Sequence, residues 1–334
     1  MKNALVVGFG LAGAALASQL QAMGKSFHVI DLPKKNVSSS KAAGVLNPVV
    51  LKRLNPVWRA TEFYPYALEY YSELNAKSTN NFFYQEDIVQ LLPSAQAQNL
   101  WNEKQADPFL GNYLKDIVKA ELAGHANIAQ AKYTAAYRLD VNSYLGYLRD
   151  GLSAYTEEQF DMDEVDFYTE GLRYKGESYE KLFLCMGVEH NLAGIQITRG
   201  QYSLTDIPGL KLDSMLKGKH FVIPKGKSFL VGASFSFKNN SLEPNEDDLR
   251  EFSSFLKEDL ALSNFTFTSH TVGLRAASKD RKPIMGQLSP SCYVLNGLGA
   301  RGVLMSPLLA NMLVKQAYET HPLPKELDLK RFNS

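Results

Sequence analysis

One stretch limits the folds open to this chain more than any other: Ala4-Leu5-Val6-Val7-Gly8-Phe9-Gly10-Leu11-Ala12-Gly13. An apolar, β-branched run stops at Gly8, and three glycines at G-x-G-x-x-G spacing lead into an alanine-rich helical run. The chain then returns through Phe27-His28-Val29-Ile30-Asp31, a strand pattern ending on an acid 18 positions after Gly13. This order is that of a dinucleotide-binding βαβ unit, in which the acid falls about 20 residues on. The first glycine permits a tight turn, the second lets backbone approach a pyrophosphate, and the third lets the helix lie close on the strand. The helix N-terminus offers unpaired N–H groups to the anion. A carboxylate at Asp31 would accept hydrogen bonds from a ribose diol and repel a 2′-phosphate, which favours FAD or NAD over NADP. The competing reading is a secretory leader, since Lys2 precedes an apolar segment and Ala15-Leu16-Ala17 looks like a cleavage site. Cleavage there would destroy a well-formed βαβ unit.

At 334 residues the chain is long for one core and suits two intimately joined domains. A net charge of +1 gives no strong electrostatic case for nucleic acid or membrane as an obligatory partner. No apolar run reaches the length of about 18 residues that spans a bilayer. Cys185 and Cys292 lack C-x-x-C partners, so a disulfide framework and a zinc site are not expected, and a reducing cytoplasm is the expected setting. His28, His125, His190, His220, His270 and His321 show no ligand spacing, and no metal is expected.

The rest of the chain is read in order. A polar loop after Asp31 ends in the small-residue turn Ala42-Ala43-Gly44. Between 56 and 125 aromatic residues crowd the chain, and Phe63-Ala67-Tyr70-Tyr71-Leu74 fits an amphipathic helix. That region reads either as a lid or substrate domain or as an aromatic-rich core. Asp140 and Asn142 suit the start of a helix running to about 154. Lys175-Gly176-Glu177 reads as a hairpin turn. Lys181 to Gly187 reads as a buried strand, and residues 199 to 237 as antiparallel strands of an inserted sheet. Asn245-Glu246-Asp247-Asp248 opens another helix. Cys292-Tyr293-Val294-Leu295-Asn296 is a strand pattern running into Gly297-Leu298-Gly299-Ala300-Arg301-Gly302, a second strand–glycine–helix device with a second helix N-terminus.

These features together resemble the FAD-dependent family that includes D-amino acid oxidase, glycine oxidase and sarcosine oxidase. The residues that carry the resemblance are the first fingerprint with Asp31, Ala43-Gly44, Cys185-Met186-Gly187, Arg199-Gly200-Gln201, Gly273-Leu274-Arg275, Pro283-Ile284-Met285-Gly286 and the 297–307 segment. Gly273-x-Arg275 with Asp280, Pro283 and Gly286, together with Gly232-Ala233-Ser234-Phe235 and Ala300-Arg301-Gly302, is similar to the FAD oxidase domain of the bifunctional enzymes that mature tRNA wobble uridine to 5-methylaminomethyl-2-thiouridine.

The resemblance implies an α/β fold: a Rossmann-like FAD-binding domain of glutathione-reductase type, with a substrate domain of antiparallel sheet and helices inserted in it. Residues 1–50, 133–197 and 273–334 would form the first, and 51–132 with 198–272 the second. It implies FAD contacts at Gly8, Gly10, Leu11, Ala12, Gly13, Asp31, Ala43, Gly44, Val165, Cys185, Met186, Gly187, Gly299, Ala300, Arg301, Gly302 and Val303. The chemistry implied is hydride transfer to flavin N5 from a carbon bearing an amine, giving an imine that water hydrolyses. Arg275 matches a position that holds a substrate carboxylate, and Arg301 is a second candidate. The implied partner is a small amine or amino acid, with tRNA as a further possibility. Two other readings compete. One is an RNA-binding factor acting through the five lysines between Lys211 and Lys227. The other is a nicotinamide dehydrogenase, which leaves the C-terminal glycine turn unexplained.

Overall fold

The structure is a computed structural model that describes residues 1–32, 38–122, 125–237 and 240–332. Its first sheet is built around strand Lys2–Val7, which lies between Phe27–Asp31 and Glu177–Leu184 and runs parallel to both. Tyr155–Glu157 pairs in parallel outside Phe27–Asp31. Along Lys2–Val7, Ala4 and Val6 pack into one apolar cluster while Leu5 and Val7 pack into another. A strand buried on both faces reads as a continuous apolar run, as this one does.

Glu177–Leu184 changes partner along its length. Its first residues pair antiparallel with Gly171–Tyr174, and its last three pair in parallel with Cys292–Asn296. The hairpin expected at Lys175-Gly176 is present, with both residues at positive φ, 46° and 84°. That pair of conformations matches the twist of adjoining strands.

Among the described residues there are six α-helices: α1 (Leu11–Ala22), α2 (Ala60–Lys77), α3 (Ala95–Gln105), α4 (Val141–Asp150), α5 (Glu246–Ser254) and α6 (Gly302–Glu319). Ala14, Ala15 and Ala17 of α1 are buried in the same cluster as Leu309, Ala310 and Leu313 of α6. Small side chains at such a seam let two helices, and so their two N-termini, approach closely. Two of the helix starts follow the sequence signals: the Asp140 side chain accepts from the Ser143 amide, and that of Asn245 accepts from the Asp247 amide.

The second sheet has eight strands in the order Thr266–Ser278, Ile195–Asp206, Ser228–Gly232, Phe221–Lys225, Met215–Lys217, Ile88–Leu91, His125–Tyr133, Val118–Leu122. All neighbours are antiparallel except Met215–Lys217 with Ile88–Leu91. That parallel pair joins the two sequence segments expected to form a substrate domain. The expected boundaries at 197/198 and 272/273 fall inside the paired strands Ile195–Asp206 and Thr266–Ser278. Residues 195–197 and 273–278 therefore belong to strands of the second sheet, and 185–194 and 279–283 carry the chain between the two sheets.

The aromatic stretch is core. Phe63, Tyr64, Tyr70 and Tyr71 of α2 are buried, and the Tyr71 hydroxyl donates to the Val303 carbonyl in the first turn of α6 at 2.9 Å. Buried phenols that find a partner of this kind add packing and direction together. α2 thus buttresses the N-terminal end of α6.

Candidate active site

The cofactor end of the site is shaped by atoms the glycines do not have. A Cβ on Gly13 would lie 1.8 Å from the Gly8 carbonyl oxygen, and one on Gly8 would lie 2.6 Å from that of Cys185. Gly8 also has φ 91°, a region that disfavours side chains. The helix and the two strands are therefore packed backbone to backbone. Asp31 closes the turn: its Oδ1 accepts from the Phe9 amide at 2.9 Å and its Oδ2 from the Tyr155 hydroxyl at 3.3 Å. Burial and the neighbouring Asp31 carboxylate push the Tyr155 phenol up to about 12, so it remains a donor. Gly10 caps α1 without a side chain, and the Leu11 amide donates to Ser39 Oγ at 3.0 Å.

The second glycine turn lies beside the first. A Cβ on Gly302 would lie 3.0 Å from a Leu11 methyl, so the starts of α1 and α6 are in contact. Asn296, buried, donates through Nδ2 to the Gly187 carbonyl at 2.9 Å and accepts from the Gly297 amide at 2.8 Å. It ties the two strand ends that follow Leu184 and Leu295.

One cleft runs past both turns to the antiparallel sheet. Its lining includes Gly8, Gly10, Leu11, Ala12, Asp31, Ala43, Gly44, Cys185, Met186, Gly187, Gly299, Ala300, Gly302, Val303 and Arg275. On the side of the antiparallel sheet the wall is Gly200, Tyr202, Phe221, Ile223, Leu230, Gly232, Ala233, Gly273, Arg275 and Ala276. Arg275 is the one cation on that wall among the described residues. It sits opposite Thr198 in the register of the two long strands, and its guanidinium lies over Gly200, where a Cβ would be 2.2 Å from Nη2. Burial pushes the Arg275 guanidinium down from its ordinary value, and no acidic side chain or carbonyl among the described residues pairs with it. A guanidinium of ordinary chemistry keeps its charge even so. Ser38 Oγ donates to the carbonyl of the neighbouring Leu274, so the turn whose next residue touches α1 also touches the arginine strand.

Three expected contacts lie outside the cleft lining. Gly13 sits behind it as the packing glycine described above. Val165 packs on the apolar cluster of Leu172 and Tyr174, and Gln159 and Phe160 line the cleft instead. Arg301 is half-buried at the start of α6, its guanidinium pushed down by burial, while its neighbours Ala300 and Gly302 line the cleft. No aromatic residue between 56 and 125 lines it either. The sequence reading missed Ser39, Tyr202, Phe221, Ile223 and Leu230. The last four lie in strands it did find, but a strand pattern does not say which face meets a ligand. Cys292 is buried within its strand, and burial pushes its thiol up to about 12, as it does that of Cys185. Among the described residues no group of three or more His, Cys, Asp or Glu side chains could hold a metal ion, and no helix is long and apolar enough to cross a membrane.

The bare glycine turns, the two adjoining helix N-termini and Asp31 fit an extended dinucleotide. Known proteins agree. The solved structures of iminodiacetate oxidase from Chelativorans sp. BNC1 and of glycine oxidase from Geobacillus kaustophilus share the fold, with TM-scores of 0.79 and 0.75 at 16% identity, each covering 99% of this chain and 98% and 97% of theirs. In sequence the chain is similar to the tRNA 5-methylaminomethyl-2-thiouridine biosynthesis bifunctional protein MnmC of Idiomarina loihiensis, 35% identical over 36% of this chain and 21% of that one. The corresponding protein of Campylobacter concisus is 24% identical over 86% of this chain and 47% of its own length. The chain thus spans less than half of these curated relatives. The FAD dependent oxidoreductase pattern matches residues 3–316, and the chain belongs to that family of FAD enzymes.

Proposed function

We propose that this enzyme oxidises the C–N bond of an amino acid or secondary amine that carries a carboxylate. The observation that carries the reading is Arg275, a half-buried guanidinium with no protein partner among the described residues, held over Gly200 in the wall of the FAD cleft. An unpaired cation there is costly unless a ligand completes it, and its fork suits a carboxylate held by two parallel hydrogen bonds.

Bound FAD supplies the acceptor for the hydride that leaves the carbon beside the amine nitrogen; water hydrolyses the resulting imine. The chain binds and orients. Arg275 fixes the carboxylate, and Phe221, Ile223 and Leu230 form an apolar wall that excludes water from the amine-bearing carbon. The ionisable side chains of that wall are Arg275 and Tyr202, neither a carboxylate nor an imidazole of the kind that serves as a base near neutral pH. The N-terminus of α6, with Gly299, Ala300 and Gly302 lining the cleft, offers partial positive charge to the part of the cofactor that becomes electron-rich.

A second reading is favoured by the similarity to proteins named for tRNA 5-methylaminomethyl-2-thiouridine biosynthesis. Here the amine would be the carboxymethylaminomethyl group of a wobble uridine, which also presents a carboxylate to Arg275. The test is anaerobic bleaching of the flavin by D-amino acids, N-alkylglycines and carboxymethylaminomethyl-uridine. Bleaching by at least one carboxylate-bearing amine supports the proposal, and bleaching by none of them overturns it. The nucleoside decides between the two readings.

A further inference from the structure

Two segments far apart in sequence, 51–59 and 279–282, meet at one aromatic ring. Lys282 Nζ lies 5.4 Å from the centre of the Trp58 ring, and the Arg59 guanidinium carbon lies 5.5 Å from it. Together the segments carry Lys52, Arg53, Arg59, Lys279, Arg281 and Lys282 against one acid, Asp280. That acid is already engaged: Arg331 Nε donates to Asp280 Oδ2 at 2.9 Å. The same guanidinium donates to the Lys282 carbonyl at 2.8 Å and the Pro283 carbonyl at 2.9 Å, which clamps the loop. Arg59 pairs with Glu62. Lys52, Arg53, Lys279 and Arg281 are exposed, and among the described residues neither they nor Lys282 has an acidic partner.

The backbone holds these cations at a cost. Leu54, Arg59 and Arg281 have φ of 47°, 52° and 61°, three of the six non-glycine residues at positive φ among those described. Such conformations are unfavourable for residues other than glycine and gather at functional sites. Like charges kept together on a clamped, strained backbone repel one another until an anion joins them. With a net charge of only +1, the chain's overall balance does not account for this concentration.

The patch adjoins the substrate wall. Lys279 is the first residue beyond Thr266–Ser278, the strand that carries Arg275, and four residues at the usual rise span about 13 Å. Lys52 lies near Lys217, whose ammonium burial and Lys52 together hold at about 8. Lys217 Nζ sits 5.1 Å over the ring of Phe221, a residue of the cleft wall.

We propose that this surface docks the phosphodiester backbone of a structured RNA beside the FAD cleft. Cations flanking an aromatic ring suit nucleic acid. A bilayer is disfavoured because the most exposed large apolar side chains, such as Phe235 and Phe237, lie outside both segments. The lysines between 211 and 227 make a poorer surface: Lys217 turns its ammonium onto the Gly218 and Lys219 carbonyls, and Lys219 pairs with Glu251. The choice of RNA rests on the second reading above; the location rests on the charges.

The test is anisotropy of a labelled, unmodified tRNA transcript titrated with the FAD-loaded chain and with the Lys52→Glu/Arg53→Glu/Lys279→Glu/Arg281→Glu variant. Wild type is expected to lose affinity on the order of 100-fold between 50 and 200 mM salt, as about four phosphate contacts require. The variant should bind at least tenfold more weakly while its flavin is still bleached by the same small amine, which shows it folded. Lys225→Glu/Lys227→Glu should change little. Equal binding by wild type and the four-site variant overturns the location. Absence of binding by wild type at low salt, or variant-sensitive binding to anionic phosphatidylserine vesicles instead of tRNA, overturns the RNA partner. Neither result touches amine oxidation, which the bleaching assay reads separately.

Discussion

The two walls of the cleft are made differently. The wall on the parallel sheet is largely backbone, with Gly8, Gly10, Gly187, Gly299 and Gly302 beside two carboxylates, Glu189 and Asp31, the latter tied to the Phe9 amide. The wall on the antiparallel sheet uses side chains: Arg275, Tyr202, Phe221, Ile223 and Leu230. A backbone wall suits a ligand of fixed shape, and FAD is that ligand throughout the family. A side-chain wall can be altered residue by residue without disturbing the fold, so the proposed function puts substrate choice there. On the proposed function, cofactor and substrate determinants are separable in this chain.

That separation can be broken or sharpened by substitution. The largest effect is expected from Gly13→Val, where even the first added carbon would lie 1.8 Å from the Gly8 carbonyl oxygen. Overpacking of this kind costs about 3 kcal/mol. The purified variant should lack flavin absorption and melt earlier. A stable, flavin-loaded Gly13→Val protein would mean that the backbone wall yields more than its packing suggests.

Arg275→Ala comes next. Losing two charge-assisted hydrogen bonds costs about 3 kcal/mol, roughly 100-fold in affinity for a carboxylate substrate. The KM from steady-state rates should rise accordingly, with flavin content unchanged. If flavin content falls as well, the walls are coupled, and the Ser38 contact to the Leu274 carbonyl is the first place to look.

Gly200→Ala is a finer probe. The new methyl would displace the guanidinium from its platform without removing it, and a roughly tenfold rise in KM is expected for misplacement of this size. Asp31→Asn should do the reverse and do less, weakening FAD about fivefold by equilibrium dialysis through poorer ribose and Phe9 contacts. The apparent affinity for carboxylates should not move once the flavin site is saturated.

The unequal legibility of the walls has a physical cause. Gly8, Gly10, Gly13 and Asp31 were readable because a backbone approach imposes residue types at fixed spacing along one short segment. Helix starts at Asp140 and Asn245 were readable for the same local reason. Arg275 was visible only through a family resemblance, since its proposed role depends on Gly200 leaving room across a strand pair. The aromatic residues of α2 suggested a lid as well as a core because composition reports burial without saying what is covered; in the structure they cover the start of α6. The basic surface was invisible because its two segments, far apart in sequence, are brought together in the fold, where Lys282 lies over Trp58. Val165 shows the same limit, since one strand pattern did not reveal that Gln159 and Phe160 reach the cleft instead.

The measurement that bears most directly on the account is spectral titration of the FAD-loaded enzyme, kept anaerobic, with an unreactive small carboxylate, in wild type, Arg275→Lys and Arg275→Ala. The account predicts a saturable flavin perturbation in wild type, weaker binding in the lysine variant and at least a tenfold loss in the alanine variant, all with full flavin content. Equal carboxylate affinity in all three proteins would contradict it.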